Sequence, residues 1–146
     1  MKNYSIMQQP DYQFELELSV RDYELDLQGV VNNAVYQNYL EHTRHEFLHH
    51  IGLDFGELHD QGTDAVVHKI EMEFKRPLLA NNRFVVRLRA EQQGHVRYIF
   101  HQDIYRLPDN ELVLKGKVTA VFMNNGRPIR PPDDVVEAIK KNTIAR

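Results

Sequence analysis

The chain has 146 residues, 42% hydrophobic and 27% charged, with a formal net charge of −3. That size and balance suit one globular domain over residues 1–146, and the mild acidity argues against a nucleic-acid-binding protein. There is no cysteine, which excludes disulfides, thiolate metal sites and cysteine nucleophiles and fits a reducing, cytoplasmic setting.

In chain order, the N-terminus lacks the basic region and apolar stretch of a signal peptide. The Asn-Tyr-Ser sequon at Asn3 carries little weight without an export signal. No apolar run nears the ~20 residues of a membrane span. Phe14, Leu16, Leu18 and Val20 alternate with polar residues in FELELSV, the period of a half-buried strand. DYELDLQGVVNN then breaks that period, contains Gly29 and reads as a loop.

From about Asn33 to Ile51 the period becomes helical, with Tyr36, Leu40, Phe47, Leu48 and Ile51 on one stripe and Val35 and Tyr39 beside it. Asn32 or Asn33 suits the N-cap and Gly52 the stop. Four alternating runs follow: Val66–Phe74, Phe84–Ala90, Val96–Ile104 and Leu112–Phe122. In the first, the alternation puts Val66, His68, Ile70, Met72 and Phe74 on one face. Breaks rich in Pro, Gly, Asn and Asp separate the runs, as turns between antiparallel strands do. PDDVVEAIKKN, with acids first and lysines last, reads as a short terminal helix.

The order of one strand, one long helix and then four strands dictates an α+β architecture. The helix must bury its stripe, and a sheet of five or six antiparallel strands wrapped around it is the available surface. The edges of such a sheet remain open, so self-association is expected.

HEFLH, from His45 to His49, matches the H-E-x-x-H signature of zinc hydrolases. A zinc site needs a third ligand, usually from a following helix, and here only strands follow. Phe47 and Leu48 are claimed by the core stripe, so His42, His45 and His49 read as structural or interface residues, and no metal is expected.

The loop before the helix is more informative. Asp26 lies three residues before Gly29 and six before Asn32, a spacing that can hold a carboxylate beside the unsatisfied N–H groups of a helix start. Such donors form a site for a developing oxyanion. An Asp in this position is equally able to make an Asx turn, and Asn32 and Asn33 are equally able to act as caps.

The stretch resembles the hotdog-fold acyl-CoA thioesterases of the 4-hydroxybenzoyl-CoA thioesterase type. Their pattern of aspartate, two residues, glycine, an apolar pair and a helix with early tyrosine and later arginine is met by Asp26, Gly29, Val30-Val31, Tyr36, Tyr39 and Arg44. Val31-Asn32-Asn33 looks more like acyl-ACP thioesterases. VVHKIEMEFKRPLLANNRFVVRLRA, RYIFHQDIYR and GRPIRPP are similar to the family's later strands and tail.

The resemblance implies a hotdog fold and hydrolysis of an acyl-CoA or acyl-ACP thioester by a homodimer or homotetramer, with no cofactor. It makes Asp26 the catalytic carboxylate, as nucleophile or base, and the backbone N–H of Asn33 the oxyanion donor. Gly29 would allow close backbone approach, and Asn32 would orient the thioester. Coenzyme A phosphates would call for a basic rim, with Lys75, Arg76, Arg83, Arg87, Arg89 and Arg97 as candidates. Glu73 is an outside candidate for an acid given across subunits. The competing readings are a hotdog dehydratase, which would want a histidine that this loop does not offer before His42, and a non-catalytic acyl-binding module.

Overall fold

The computed structural model describes residues 11–141; the sequon at Asn3 and the last residue of the expected terminal helix, Asn142, lie outside them. β1 (Phe14–Ser19) leads through a loop to the long helix α1 (Asn33–His50) and the short α2 (Phe55–Asp60). β2 (Asp64–Phe74), β3 (Arg83–Gln93), β4 (Arg97–Leu107) and β5 (Glu111–Asn124) follow, then a two-residue β6 (Arg127–Pro128) and α3 (Asp133–Lys141). The strands form one antiparallel sheet in the order β1-β3-β4-β5-β2, with β6 hairpinned onto the end of β5. α1 crosses the concave face, the sheet-on-helix arrangement that the element order called for and the hotdog fold that the resemblance implied.

The register decides which residues face the helix. Phe14, Leu16 and Leu18 of β1 pair with Leu88, Val86 and Phe84 of β3, and Gln102 and Ile104 of β4 lie opposite Leu88 and Val86. Of these, Phe14, Leu18, Phe84, Val86, Leu88 and Ile104 share one core with Leu114 and Val118 of β5 and with Tyr39, Leu40 and Phe47 of α1. At ~25 cal/mol per Å² of apolar surface removed from water, this shared face is the main stabilising term.

The helix is also bolted to the sheet by a polar clamp. Gln102, fully buried in β4, donates from Nε2 to the Leu40 carbonyl at 2.8 Å and accepts from the Arg44 guanidinium at 3.0 Å. Burial lowers the pKa of Arg44 from the ordinary arginine value. Gly116 on β5 lies under the same turn, where an added Cβ would meet the Gln102 carbonyl at 2.7 Å and Leu40 Cδ1 at 3.2 Å. Gly116→Ala should therefore force helix and sheet apart and cost about 1–3 kcal/mol, read as a lower urea midpoint at unchanged slope.

Two features depart from the sequence reading. α2 was not anticipated; it starts at Asp54, whose side chain accepts from the Glu57 N–H, an ordinary N-cap. In β2, the register against β5 slips between Val67 and Lys69, leaving His68 as the extra residue of a bulge. The bulge reverses the alternation. Ala65 and Val67 join Ile70, Met72 and Phe74 on the inner face, and Val66 does not share that face as its spacing suggested.

The two sheet edges differ. β1 has 6 residues and turns Glu15 and Glu17 outward onto Arg87 and Arg83. β2 has 11 residues and leaves Val66, Val67, Ile70 and Phe74 exposed at 49%, 41%, 37% and 48%.

Candidate active site

The loop from Arg21 to Asn32 is folded back on itself. Leu25 bridges Val31, the Asp26 N–H donates to the Val30 carbonyl at 2.8 Å, and the Gly29 N–H donates to the Asp26 carbonyl at 3.1 Å. Gly29 has φ +79°, the left-handed region that glycine enters without penalty. Apart from its chain neighbours, no atom of the described residues lies within 4 Å of where its Cβ would be. The dihedral of the turn therefore requires the glycine, and the space around it is open.

This turn is pinned to the rest of the molecule on two sides. The Val31 N–H donates to the Leu78 carbonyl and Val30 bridges Leu79. Tyr36, buried in the first turn of α1, accepts the Leu78 N–H on its hydroxyl at 3.2 Å. On the other side the Asn32 N–H donates to the Glu24 carbonyl, and the Glu24 carboxylate accepts from the Tyr39 hydroxyl at 2.8 Å. Both tyrosines, read first as packing residues, thus also hold the loop on the helix.

Asp26 is half-buried and lines a shallow depression with Leu25, Leu27, Gln28 and Asn32. Its Oδ1 accepts the Gln28 N–H at 2.8 Å and the Val30 N–H at 3.4 Å. Oδ2 has no hydrogen-bond partner among the described residues. The Asx turn and an available carboxylate oxygen are therefore compatible, because one oxygen serves each. The Asp26 charge reaches Tyr36: burial first, then this charge, raises the phenol above its ordinary pKa.

Asn32 is the N-cap of α1, with Oδ1 accepting the Ala34 N–H at 2.9 Å. The Val35 N–H is taken by the Asn32 carbonyl. The Asn33 N–H, the first of the helix, is claimed by no acceptor among the described residues. An unbonded donor at the positive end of an 18-residue helix adjoins the carboxylate loop, an arrangement able to stabilise negative charge on a carbonyl oxygen.

The basic candidates are mostly neutralised elsewhere. Lys75 pairs with Glu73 at 3.0 Å, Arg76 with Glu111 at 3.1 Å and Arg89 with Glu91 at 3.2 Å. Arg83 and Arg87 pair with the glutamates of β1 at 3.3 and 3.0 Å. Arg97 has no such pair among the described residues. Lys75 and Arg76 do lie at the end of β2 that leads into the Leu78 turn, beside the Asp26 loop. Glu73 is exposed, and Lys75 holds its carboxyl below the usual range.

The HEFLH histidines occupy the solvent side of α1. His45 packs edge-on against Phe55 of α2 with centroids 5.2 Å apart. Among the described residues, no three His, Asp or Glu side chains converge as a metal site would require, and no helix is long and apolar enough to cross a membrane.

A sheet wrapped on one helix, with a carboxylate loop at the helix start, defines a class, and residues 20–139 match the thioesterase-like superfamily, to which the chain belongs. Among its relatives is the chloroplastic acyl-acyl carrier protein thioesterase ATL2 of Arabidopsis thaliana, 46% identical over 122 residues; the match covers 83% of this chain and 65% of that protein. A Thermus thermophilus thioesterase solved with coenzyme A and zinc superimposes with a TM-score of 0.78 at 26% identity, covering 91% of this chain and 96% of that one. The 1,4-dihydroxy-2-naphthoyl-CoA thioesterase of Synechocystis shares the fold at a TM-score of 0.83 and 18% identity, covering 87% and 95% of the two chains.

Proposed function

We propose that the protein hydrolyses acyl thioesters carried on coenzyme A or acyl carrier protein, without a cofactor. The observation that carries this is the pairing of a free Asp26 Oδ2 with an unbonded Asn33 N–H at the start of α1. A thiol with a reference pKa near ~8.5 leaves without much help from an acid, so one carboxylate and one oxyanion donor suffice.

Two routes use the same pair. In one, Asp26 Oδ2 adds to the thioester carbonyl, the Asn33 N–H holds the oxyanion, and collapse expels the thiolate and leaves an aspartyl anhydride that water then hydrolyses. In the other, Asp26 removes a proton from the water that adds to the same carbonyl, and collapse again expels the thiolate. Both end with the free acid, the thiol and a regenerated carboxylate. The names of the relatives favour both carriers in turn: an acyl carrier protein for the Arabidopsis protein and coenzyme A for the Thermus structure.

The working unit is a homodimer formed through β2. Val67, Ile70 and Phe74 are exposed along an edge strand paired on one side only, and Leu27 and Leu79 extend that apolar surface around the Asp26 loop. Tyr36 joins the two, its ring 5.4 Å from that of Phe74. Antiparallel pairing of two β2 strands would cover this edge. It would also bring the Asp26 end of one copy beside the Val66–Val67 end of the other. A thiol-detecting assay over a panel of acyl-CoAs and acyl carrier protein thioesters tests the activity: release from at least one substrate is expected, and silence on all of them would reject hydrolysis in favour of an acyl-binding module. A chain without cysteine fits a reaction carried out in a reducing, cytoplasmic setting.

A further inference from the structure

A cavity of about 280 Å³ lies under the C-terminal half of α1, away from the Asp26 loop. Leu48 of α1 forms one wall, and Val67 of β2 and Phe122 of β5 form the other. Phe55 and Leu58 of α2 close one side, while Val135 and Ile139 of α3, exposed by only 1% and 2%, close the far end. Polar groups collect at the mouth, where Glu41 and His45 are exposed beside the first residues of β2.

We propose that this cavity receives the acyl chain of the thioester, and that α3, through Val135 and Ile139, is the stop that sets its length. The inference rests on the hydrolase reading and names the substrate class of that site. The two parts meet across the dimer: the mouth opens at the end of β2 that antiparallel pairing sets beside the partner's Asp26. Apart from Arg44, Glu41 and His45 the lining is apolar, which suits an unbranched aliphatic chain, since a polar group set against those apolar walls would be desolvated without a partner. An apolar cavity of ~150 Å³ accepts a six-carbon ring, so one of nearly twice that volume has room for roughly eight to twelve chain carbons.

The test uses S-alkyl coenzyme A thioethers of four to sixteen carbons, which bind but cannot be hydrolysed. With wild-type protein, affinity should rise about fourfold per methylene up to a chain of roughly eight to twelve carbons and then stay level. Ile139→Ala should move that break to longer chains by two carbons or more, and Val135→Phe to shorter ones. A wild-type series that is flat, or that climbs through sixteen carbons, overturns the proposal. So does an unmoved break in either variant once its melting curve shows it folded. If neither variant folds, the wild-type series decides alone. The two readings fail separately: a break in the series with no thiol release from any thioester rejects hydrolysis and keeps the chamber, whereas release with a flat series rejects the chamber.

Discussion

Asp26→Asn lowers thiol release by about 10²–10⁴-fold while leaving the melting temperature nearly unchanged. The amide keeps an oxygen where Oδ1 now accepts from the Gln28 and Val30 N–H groups, so the turn survives. What it loses is the negative charge at Oδ2, needed both for attack on the carbonyl and for taking a proton from water. Because Oδ2 supports no contact within the described chain, the loss should fall on kcat rather than on stability. Comparing the two proteins on the best acyl thioester, with a denaturation curve for each, checks both halves. Equal rates would remove Asp26 from the chemistry; a rate lost together with the fold would make it a structural residue.

Ile70→Lys should convert the dimer to a folded monomer and lower activity by at least two orders of magnitude. Ile70 sits near the middle of β2 and is 37% exposed in one copy. Its environment in the isolated chain therefore tolerates a lysine, whose stem can lie along the surface while the ammonium reaches water. In a dimer paired through β2, each lysine would face apolar side chains close to the two-fold axis and beside its own symmetry mate. Two buried like charges there cost several kcal/mol. Sedimentation velocity should show wild type at twice the chain mass and the variant at the chain mass. A variant that stays dimeric would move the interface off β2, and an active monomer would show that each copy carries a complete site.

Much of the fold could be read directly because its elements have strong periods. The alternation in FELELSV and the stripe of Tyr36, Leu40, Phe47 and Leu48 reflect the two sides of a single interface, and the stretch of polar residues between them had to be a loop. Other features were set by partners distant in sequence. The bulge at His68 is not evident in VVHKIEMEF, where Val66, His68, Ile70, Met72 and Phe74 fall on alternate positions, because only the pairing with β5 reveals the extra residue. α2 is 6 residues long and contains Gly56, so its Asp54-to-Glu57 capping signal stood in a stretch otherwise poor for helix. The basic residues of β2 and β3 looked available for phosphate because the acids that engage several of them lie far away: Glu15 and Glu17 are 72 and 66 residues from Arg87 and Arg83.

The candidate site divides in the same way. Spacing brought Asp26 and the start of α1 together, and the resemblance supplied their roles. That Asn33 keeps an unbonded N–H depends on Asn32, whose side chain and carbonyl take up the next two donors. That Tyr36 and Tyr39 support the loop depends on the Leu78 turn and on Glu24, contacts that no helical period announces.

The slipped register in β2 gives that strand two phases. Downstream of His68 the even-numbered residues meet the helix; upstream, the odd-numbered ones do. Tolerance to charge along the strand should therefore invert at that point, with Glu, Lys and Asp accepted at 69, 71 and 73 but at 64 and 66 on the other side of it. Deleting His68 would set Val67 beside Lys69 and leave both phases on their present faces, whereas drawing His68 into one unbroken alternation would turn the carboxylate of Asp64 toward the cavity, so the bulge itself keeps that charge off the apolar wall.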